Sequence, residues 1–454
     1  MTNLSTRTPW RTVIAFGAPA VGAGYMFLLL SLYVMKFATD VLLIAPAVMG
    51  LIFSASRIWD AVSDPLAGYL SDRTTFRLGR RRTWILASML PIGAAFIMVF
   101  SPPLHLSGGA LTAWMALGVI GFYSAMTVFF VPHLSLGAEL TDDYHERTRL
   151  FGMRHAFYTL GSILALVSMY LLINAELEGE AQVRLVAGTQ AWIAAGVMAC
   201  LLIFAVARLR ERAEFQGRAA PSPLRALRDI AANEHARRLY TVWFIESFGG
   251  AAIGALTLYI TQYVVGAVQW APLIILCYMV PSSLAPPAWL ALSRRIGKIR
   301  TWMIGMCGTA VSFGSMLGLL QVDSVEGRLA WIMCAAVTAG FSAGCGGSIG
   351  PSVQGDVIDY DELKTGERKE GAYYAAWMFI NKSALGVVLL VTGFALQFAG
   401  FVPNAEQTAA VKLTMLGLYS GLPLLFFVTG ASLLSRFRLD EKAHAQIRAA
   451  LGRA

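Results

Sequence analysis

The sequence predicts an all-α membrane protein with twelve membrane-spanning helices in two six-helix halves. Its 454 residues are 57% hydrophobic and only 14% charged, whereas a soluble protein of this length carries about 25% charged residues. The apolar residues fall into repeated blocks of roughly 20, the length that a helix needs to cross ~30 Å of hydrocarbon. The short alternating segments typical of a transmembrane β-barrel do not occur in the sequence.

Twelve candidate spans can be marked in these apolar blocks. They lie near residues 13–36, 46–71, 83–103, 110–135, 152–174, 188–208, 240–264, 270–293, 301–321, 328–351, 374–399 and 412–435. The polar N-terminal segment leads into an apolar run that is too long for the core of a signal peptide and has no small-residue cleavage site. The first helix is therefore expected to stay in the membrane.

Basic residues are unevenly divided between the two sides of these spans. If the N-terminus is inside, the inner loops hold a cluster between Arg73 and Arg82, a charged linker from Arg208 to Arg238 and a basic C-terminal tail. The outer side holds four basic residues, namely Lys36, Arg184, Arg328 and Lys412. The positive-inside rule therefore predicts that both termini are cytoplasmic. The same distribution explains the net charge of +9 without a nucleic-acid partner.

The chain also contains an internal repeat. The segment RLGRRRTWIL, residues 77–86, returns as RIGKIRTWMI, residues 295–304, an offset of 218 residues, and each copy follows the second span of its half. A looser echo links residues 131–147 with residues 350–368, after the fourth span of each half. A parallel repeat of six helices is the design of major facilitator transporters.

The repeat therefore predicts a twelve-helix major facilitator fold, with two six-helix halves related by a pseudo-two-fold axis. The predicted domains are an N-terminal bundle, a cytoplasmic linker, a C-terminal bundle and a cytoplasmic tail, at residues 1–208, 209–238, 239–436 and 437–454.

The second span carries charges at helical spacing. Arg57, Asp60 and Asp64 stand three and four residues apart and so share one helix face. Lipid exposure would cost a few kcal/mol per charge, so this face should point at protein or water. Two carboxylates one turn apart repel unless a cation or proton binds between them. The pair is a candidate sodium or proton site, with oxygens from Ser63 and Thr127 as further ligands. The alternative is a structural ion pair with Arg57 or Lys382.

Three more charged residues lie in or at the ends of predicted spans. Lys382, in span 11, is expected to approach span 2 and to neutralise the acids when no cation is bound, although a lysine can also snorkel to an interface. Glu246, in span 7, either faces the cavity or bonds to a neighbour as a protonated acid. Arg154 lies at the start of span 5. It either faces the cavity and donates to hydroxyl or anionic substrates, or it is one more topology charge on the inner side.

Two further groups complete the candidate residues. Aromatic side chains that can stack on a sugar ring, or simply pack, are Tyr25, Phe130, Tyr158, Tyr373, Tyr374 and Trp377. Charged residues at the inner helix ends, which act as gates that break when the halves rock or as helix-end caps, are Asp72, Arg73, Glu139, Asp142, Glu146, Arg147, Arg295, Asp356 and Asp359.

Three motifs resemble a known family. RIWDAVSDPLAGYLSDRT, VPHLSLGAELTDDYHERT and DVIDYDELKTGERKEGAYYAAWMFINK are similar to segments of the glycoside–pentoside–hexuronide:cation symporters, the family of the melibiose permease. The resemblance covers nearly the whole chain and implies symport of a substrate with sodium or a proton. It implies that Asp60 and Asp64 form the cation site and that Thr127 lies near the cation. It also implies functional roles for Lys382 and Arg154.

The sequence departs from the melibiose permease at three positions. Ser63 replaces an asparagine before the second acid, so sodium use is less fixed. The sugar-holding acids of that permease align with Gly22 and Phe130, so the chemistry of galactoside binding is largely lost. The substrate is then another glycoside, an acidic or modified sugar held by Arg154, or an amphipathic molecule such as a lysolipid, which wider relatives carry.

These observations favour a bacterial inner-membrane secondary symporter that works by alternating access. It is expected to bind a small-molecule substrate at mid-membrane and to contact membrane lipid. We expect a monomer with no cofactor beyond the coupling ion, sodium or a proton. An uncoupled facilitator is the main alternative among carriers. An enzyme is not expected, since the six histidines are scattered without an HExxH motif and no phosphate-binding GxxxxGK[ST] occurs.

Overall fold

The computed structural model describes residues 8–141, 144–211, 228, 230–366, 370–437, 439 and 441–451. The first six long helices within these ranges are α1 (Trp10–Val41), α2 (Pro46–Arg73), α3 (Arg80–Phe100), α4 (Gly108–Glu139), α5 (Tyr144–Glu178) and α6 (Glu180–Arg208). The next six are α7 (Glu234–Val265), α8 (Val268–Leu284 with Pro286–Ile296), α9 (Lys298–Gln321), α10 (Val325–Thr365), α11 (Glu370–Phe398) and α12 (Ala409–Leu434). A shorter helix, α13 (Glu441–Ala450), follows them.

Most of these helices are built to cross a membrane. Ten in the described ranges are long and apolar enough to do so, and an eleventh is the bent pair of α8. The remaining long helix is α2, which spans 28 residues but has Arg57, Asp60 and Asp64 in its middle. These charges lower its mean hydropathy, so α2 matches the other spans in length but is less apolar. The predicted all-helical, multi-span fold is confirmed.

The chain divides into two compact units, Met1–Ala220 and Pro221–Ala454. In the first unit, α1 packs against α5, α2 against α4, and α3 against both α4 and α6. In the second unit, α7 packs against α11, α8 against α10, and α9 against both α10 and α12. Each pairing therefore recurs six helices later, as expected for two copies of one bundle.

Close packing of α1 on α5 depends on glycine. A Cβ atom added at Gly24 would overlap the carbonyl oxygen of Tyr158, and one at Gly161 would overlap that of Val21. Only the absence of a side chain lets the two backbones approach this closely. This contact fixes the position of Arg154 and Tyr158, which lie on the same stretch of α5.

Two helices differ from their predicted outlines. The eighth span is predicted near residues 270–293, and the structure shows that α8 bends by 47° between Leu284 and Pro286, because proline lacks the N–H of an intrahelical bond and its ring crowds the preceding turn. The tenth span was expected to end near residue 351, but α10 continues to Thr365 and stops at Gly366, whose φ of 71° is left-handed. Asp356 and Asp359 consequently lie on the helix itself.

Candidate functional site

The charged face of α2 is built around a buried ion pair. Arg57 Nη1 lies 3.1 Å from Asp60 Oδ2, and the two side chains are 4% and 2% exposed. The guanidinium also covers the ring of Tyr123 on α4, with its carbon 3.3 Å from the ring centroid. Salt bridge and cation–π contact together hold Arg57 on the α4 side of the helix. The ion pair between Arg57 and an acid of span 2, which the sequence offered as the alternative to a cation site, is therefore present.

The second acid, Asp64, is held from α4. Thr127 Oγ1 donates a hydrogen bond of 2.7 Å to Asp64 Oδ1, and one turn earlier Trp59 Nε1 donates one of 2.7 Å to Ser124 Oγ. Thr127 and Ser124 share a face of α4, so two adjacent turns of the helices are joined. The buried Ser63 hydroxyl has no hydrogen-bond partner among the described residues.

This arrangement can bind a small cation. Two carboxylates against one guanidinium leave one formal negative charge on this face of α2, and hydroxyl oxygens stand beside it. Oxygen ligands suit a hard cation such as sodium, and a carboxylate can take a proton instead. No group of three or more histidine, cysteine or acidic side chains that could hold a metal occurs within the described ranges.

A row of aromatic rings leads from the acid pair to Arg154. The ring of Phe27 lies 5.8 Å from that of Tyr123 and 5.3 Å from that of Phe130, between centroids. The guanidinium of Arg154 stands 5.5 Å from the centroid of Phe130. Its Nε is buried and has no hydrogen-bond partner in the part of the chain that the structure describes. A guanidinium in this state can donate to a ligand.

The two tyrosines predicted for the first unit have different surroundings. The hydroxyl of Tyr25 is within 2.6 Å of Ser168 Oγ, a contact that joins α1 to α5. Tyr158 is partly buried one turn after Arg154, so its ring belongs to the same region as the guanidinium. Tyr25 is therefore joined to α5 by a side-chain hydrogen bond, whereas Tyr158 lies beside Arg154.

The predicted aromatic residues of the second unit serve mainly to join α7 to α11. Tyr373 is buried, its hydroxyl accepts from Asn233 Nδ2 at 2.9 Å, and its carbonyl accepts from Tyr240 at 2.8 Å. Trp377 stacks on Trp243, with centroids 4.0 Å apart. Tyr374, in contrast, is exposed.

Lys382 and Glu246 lie in the same unit on neighbouring helices. Lys382 is partly buried on α11, next to Asn381, whose Nδ2 donates to Ser247 Oγ at 3.3 Å. Glu246, the residue before Ser247, accepts a hydrogen bond of 2.9 Å from Trp302 Nε1 on α9. Glu246 therefore has the bond to a neighbour that was one of its two predicted roles.

Acids hold the start of α3, at the end of the first unit that the sequence predicts to face inward and that is called its inner end. Glu139 Oε1 lies 2.7 Å from Arg80 Nη2 and 3.4 Å from Arg81 Nη2. Glu211 accepts the backbone N–H groups of Arg80, Arg81 and Arg82 at 2.9, 2.9 and 2.7 Å. A carboxylate at a helix N-terminus satisfies N–H groups that have no intrahelical partner.

The other predicted gate residues of this unit are scattered. Glu146 Oε2 lies 2.8 Å from Arg149 Nη1 and accepts the N–H of Thr8 at 3.0 Å. The exposed Arg73 lies over the ring of Tyr69, 4.2 Å from its centroid. Asp142 is outside the described residues, and the side chains of Asp72 and Arg147 are outside them as well.

The second unit has a comparable cluster at its inner end. Lys298 Nζ lies 2.7 Å from Asp356 Oδ2, and His444 Nε2 on α13 lies 3.5 Å from Asp356 Oδ1 and 3.0 Å from Asp359 Oδ2. Arg295, predicted for this role, is exposed. Lys298, three residues later in the repeated segment, makes the contact instead.

The sequence reasoning missed a buried charge cluster at the opposite end of the first unit. Lys36 forms ion pairs with Glu176 and, at 3.5 Å, with Asp40, and is 1% exposed. Tyr33 donates to Glu176 at 3.4 Å. Lys36 was predicted as an outer-side topology charge. The four-residue spacing of Lys36 and Asp40 was the sequence signal for an ion pair. The sequence contains no signal for the contact with Glu176, which lies 140 residues from Lys36.

The fold and the buried charges of α2 define a class, the polytopic membrane transporters of the major facilitator type. The solved D-xylose-proton symporter has the same fold, with a TM-score of 0.67 at 15% identity, covering 94% of this chain and 97% of that one.

The family follows from the sequence comparisons. A family described as MFS/sugar transport protein matches residues 15–441, and the chain belongs to it. The isoprimeverose transporter of Lactiplantibacillus pentosus is 25% identical over 95% of this chain and 89% of its own length. The sodium-dependent lysophosphatidylcholine symporter 1-A of Danio rerio is 24% identical over 91% of this chain and 82% of its own. The resemblance stated from the motifs is confirmed, and the chain is a membrane transporter and no enzyme.

Proposed function

We propose that this protein is a cation-coupled secondary symporter for a sugar, glycoside or related small solute. The observation that carries the proposal is the charged face of α2, where Asp64 stands beside the buried pair of Arg57 and Asp60. Charged side chains within a membrane-spanning helix cost free energy, and in membrane proteins they mark ion pathways. A face with one formal negative charge in excess is suited to one monovalent cation per cycle.

The coupling ion is sodium or a proton, held by Asp60 and Asp64. Thr127 already bonds to Asp64, and the unbonded hydroxyl of Ser63 adds an oxygen that sodium can use. Lys382 is assigned a coupling role, as the family resemblance implies. Coupling then consists of a higher affinity for the cation in the loaded carrier than in the empty one.

The substrate end of the site is assigned to Arg154, Phe130 and Tyr158. Arg154 offers a partly buried guanidinium whose Nε has no partner in the described ranges, and Phe130 offers a ring beneath it. A guanidinium beside an aromatic face fits a hydroxylated ring or a sugar acid. The name of the isoprimeverose transporter agrees with a glycoside substrate.

The inner clusters of the two units act as gates in this proposal. Arg80 and Arg81 bind Glu139, and Lys298 binds Asp356. Such contacts between helix ends form and break as the carrier alternates. We assign the protein to a bacterial inner membrane, with both termini cytoplasmic and a monomer as the working unit.

Uptake by sealed vesicles tests the coupling. Vesicles with the protein are given an imposed sodium or proton gradient and a glycoside, a hexuronic acid or a lysophosphatidylcholine. We expect one gradient to drive accumulation of one substrate class, and an ionophore that collapses this gradient to abolish it. Uptake that equilibrates at the same level with either gradient or none would instead identify an uncoupled facilitator.

Substitution of Arg154 tests the substrate end. Arg154→Ala removes a charged donor worth ~1.5–3 kcal/mol, which raises KM by about 10- to 100-fold, and Arg154→Lys restores part of the loss. Arg184→Ala is the control, since Arg184 pairs with the exposed Glu180. Equal KM values for Arg154→Ala and the control would remove Arg154 from the substrate site.

A carrier of an amphipathic substrate is the second candidate. The observation that favours it is the run of phenylalanines beside Arg154, in which Phe27 contacts Phe122 and Phe130. Apolar rings beside one cationic group suit a molecule with a lipid chain and an anionic head, and a relative is named as a lysophosphatidylcholine symporter. Accumulation of the lysolipid but no sugar in the vesicle assay would select this candidate.

A further inference from the structure

Glu246 occupies a distinct environment inside the second unit. Its Oε2 accepts a hydrogen bond of 2.9 Å from Nε1 of Trp302, which is wholly buried. Its Oε1 rests against Gly346 of α10, where a Cβ atom would overlap the oxygen. Residues from three helices, α7, α9 and α10, therefore shape the space around this single carboxyl group.

Among the described residues, the groups that contact this carboxyl carry no positive charge. Tyr278 of α8 and Cys345 of α10 lie within electrostatic reach of it, and Trp302 supplies the hydrogen bond. Lysine, arginine and histidine form no ion pair with Glu246 in the ranges that the structure describes.

A charge in such surroundings is unstable. One indole N–H replaces only a small part of the hydration that an ionised carboxylate loses, and removing an unpaired carboxylate from water is strongly unfavourable. A carboxyl group in this situation takes up a proton and becomes neutral. Glu246 is only partly buried, so a proton can still reach it.

We propose that Glu246 is a proton-binding site, separate from the acid pair of α2. Oε2 is the carbonyl oxygen that accepts from Trp302, and Oε1 carries the proton beside Gly346. The occupant is a proton, and the site makes the second unit responsive to pH whichever ion drives symport. This inference goes beyond the proposed function and does not depend on it.

Infrared spectroscopy of the purified protein, without substrate or gradient, tests the proposal. A neutral carboxyl group has a C=O stretch that an ionised one lacks, so wild type at about pH 6 to 7, well above the ~4.3 of an ordinary glutamic acid, should show this band. Glu246→Gln should lose the band, and the glutamine keeps an acceptor for Trp302, which favours normal folding. Glu146→Gln is the matched control, because Glu146 is paired with Arg149 and should contribute no such band.

The indole hydrogen bond provides a second readout. Trp302→Phe removes the donor to the carbonyl oxygen, so the Glu246 band should move to higher frequency. Trp289→Phe removes an indole whose Nε1 donates to the carbonyl of Phe341 at 2.7 Å and should leave the band in place. The proposal is overturned if Glu246→Gln retains the full band, or if both tryptophan variants match wild type. It is also overturned if wild type lacks the band and Glu246→Gln only raises KM, which is the result for a substrate contact.

Discussion

The two units share one pattern of helix packing but differ in the chemistry of their second helices. In the first unit, α2 carries Arg57, Asp60 and Asp64. The positions 218 residues later, on α8, hold Ile275, Tyr278 and Ser282. The pairing of α8 with α10 nevertheless matches that of α2 with α4. The fold therefore does not require the charges of α2, and their presence in one unit only points to function.

The inner ends of the units differ in a second way. In the first unit, acids from α4 and from the residues after α6 hold the start of α3, since Glu139 binds arginine side chains and Glu211 binds backbone N–H groups. In the second unit, the side chains of Lys298 and His444 bind Asp356. Equivalent ends are thus held partly through backbone N–H groups in one unit and through side-chain contacts with Asp356 in the other.

The largest expected effect on stability comes from breaking the ion pair of α2. Arg57→Leu should lower the free energy of unfolding by ~3–5 kcal/mol, because removing one partner of a buried pair leaves the other charge poorly compensated. The double variant Arg57→Leu with Asp60→Leu should recover most of the loss. Denaturant unfolding in detergent measures both. A loss below ~1 kcal/mol for the single variant would mean that water reaches the pair.

The next effect concerns affinity for the cation. Thr127→Val deletes a hydrogen bond to a charged group, worth ~1.5–3 kcal/mol, and should change the cation concentration for half-maximal uptake by about tenfold or more. Ser124→Ala, on the same face of α4, is the control and should stay within about twofold, because its oxygen accepts from Trp59 and does not touch the acids. Equal values for both variants would place the cation away from Asp64.

A smaller loss is expected at the start of α3. Glu211→Ala removes the acceptor of three backbone N–H groups, which should lower the free energy of unfolding by about 1–2 kcal/mol, as for other helix N-caps. Glu180→Ala, at an exposed pair with Arg184, should lower it by less than ~1 kcal/mol. Equal losses would show that the cap adds nothing beyond a surface charge.

The smallest effect is expected from His444. His444→Ala should weaken the attachment of α13 by less than ~1 kcal/mol, because the contacts with Asp356 and Asp359 are partly solvated. Protease protection of the C-terminal segment measures this, and protection equal to that of wild type would contradict it.

The sequence predicted the parts of the molecule that depend on local pattern. Apolar blocks of span length and the copies of RLGRRRTWIL gave the helices and the repeat, and the three- and four-residue spacing placed Arg57, Asp60 and Asp64 on one face. Contacts between distant segments were not predictable in this way. Glu176 reaches Lys36 across 140 residues, and His444 reaches Asp359 across 85, without any sequence pattern that joins them.

The sequence did contain local signals for the bend of α8 and for the end of α10. Pro281 and Pro286 lie where α8 bends, and Gly366, which ends α10, follows a last turn that contains Lys364. Aromatic residues were the least informative, because a tyrosine or tryptophan fits a binding site and a packed interface equally well. Tyr373 and Trp377 turned out to have packing contacts within the second unit.

The central claim, that the acids of α2 couple a cation to transport, is tested most directly by Asp64→Asn. Its control is Ser282→Ala, at the equivalent position of α8. Vesicles with each protein are assayed for accumulation against a gradient and for downhill equilibration of the same substrate. We predict that Asp64→Asn equilibrates the substrate but no longer accumulates it, whereas Ser282→Ala accumulates it like wild type. Full accumulation by Asp64→Asn would contradict the account and leave the charges of α2 a structural role only.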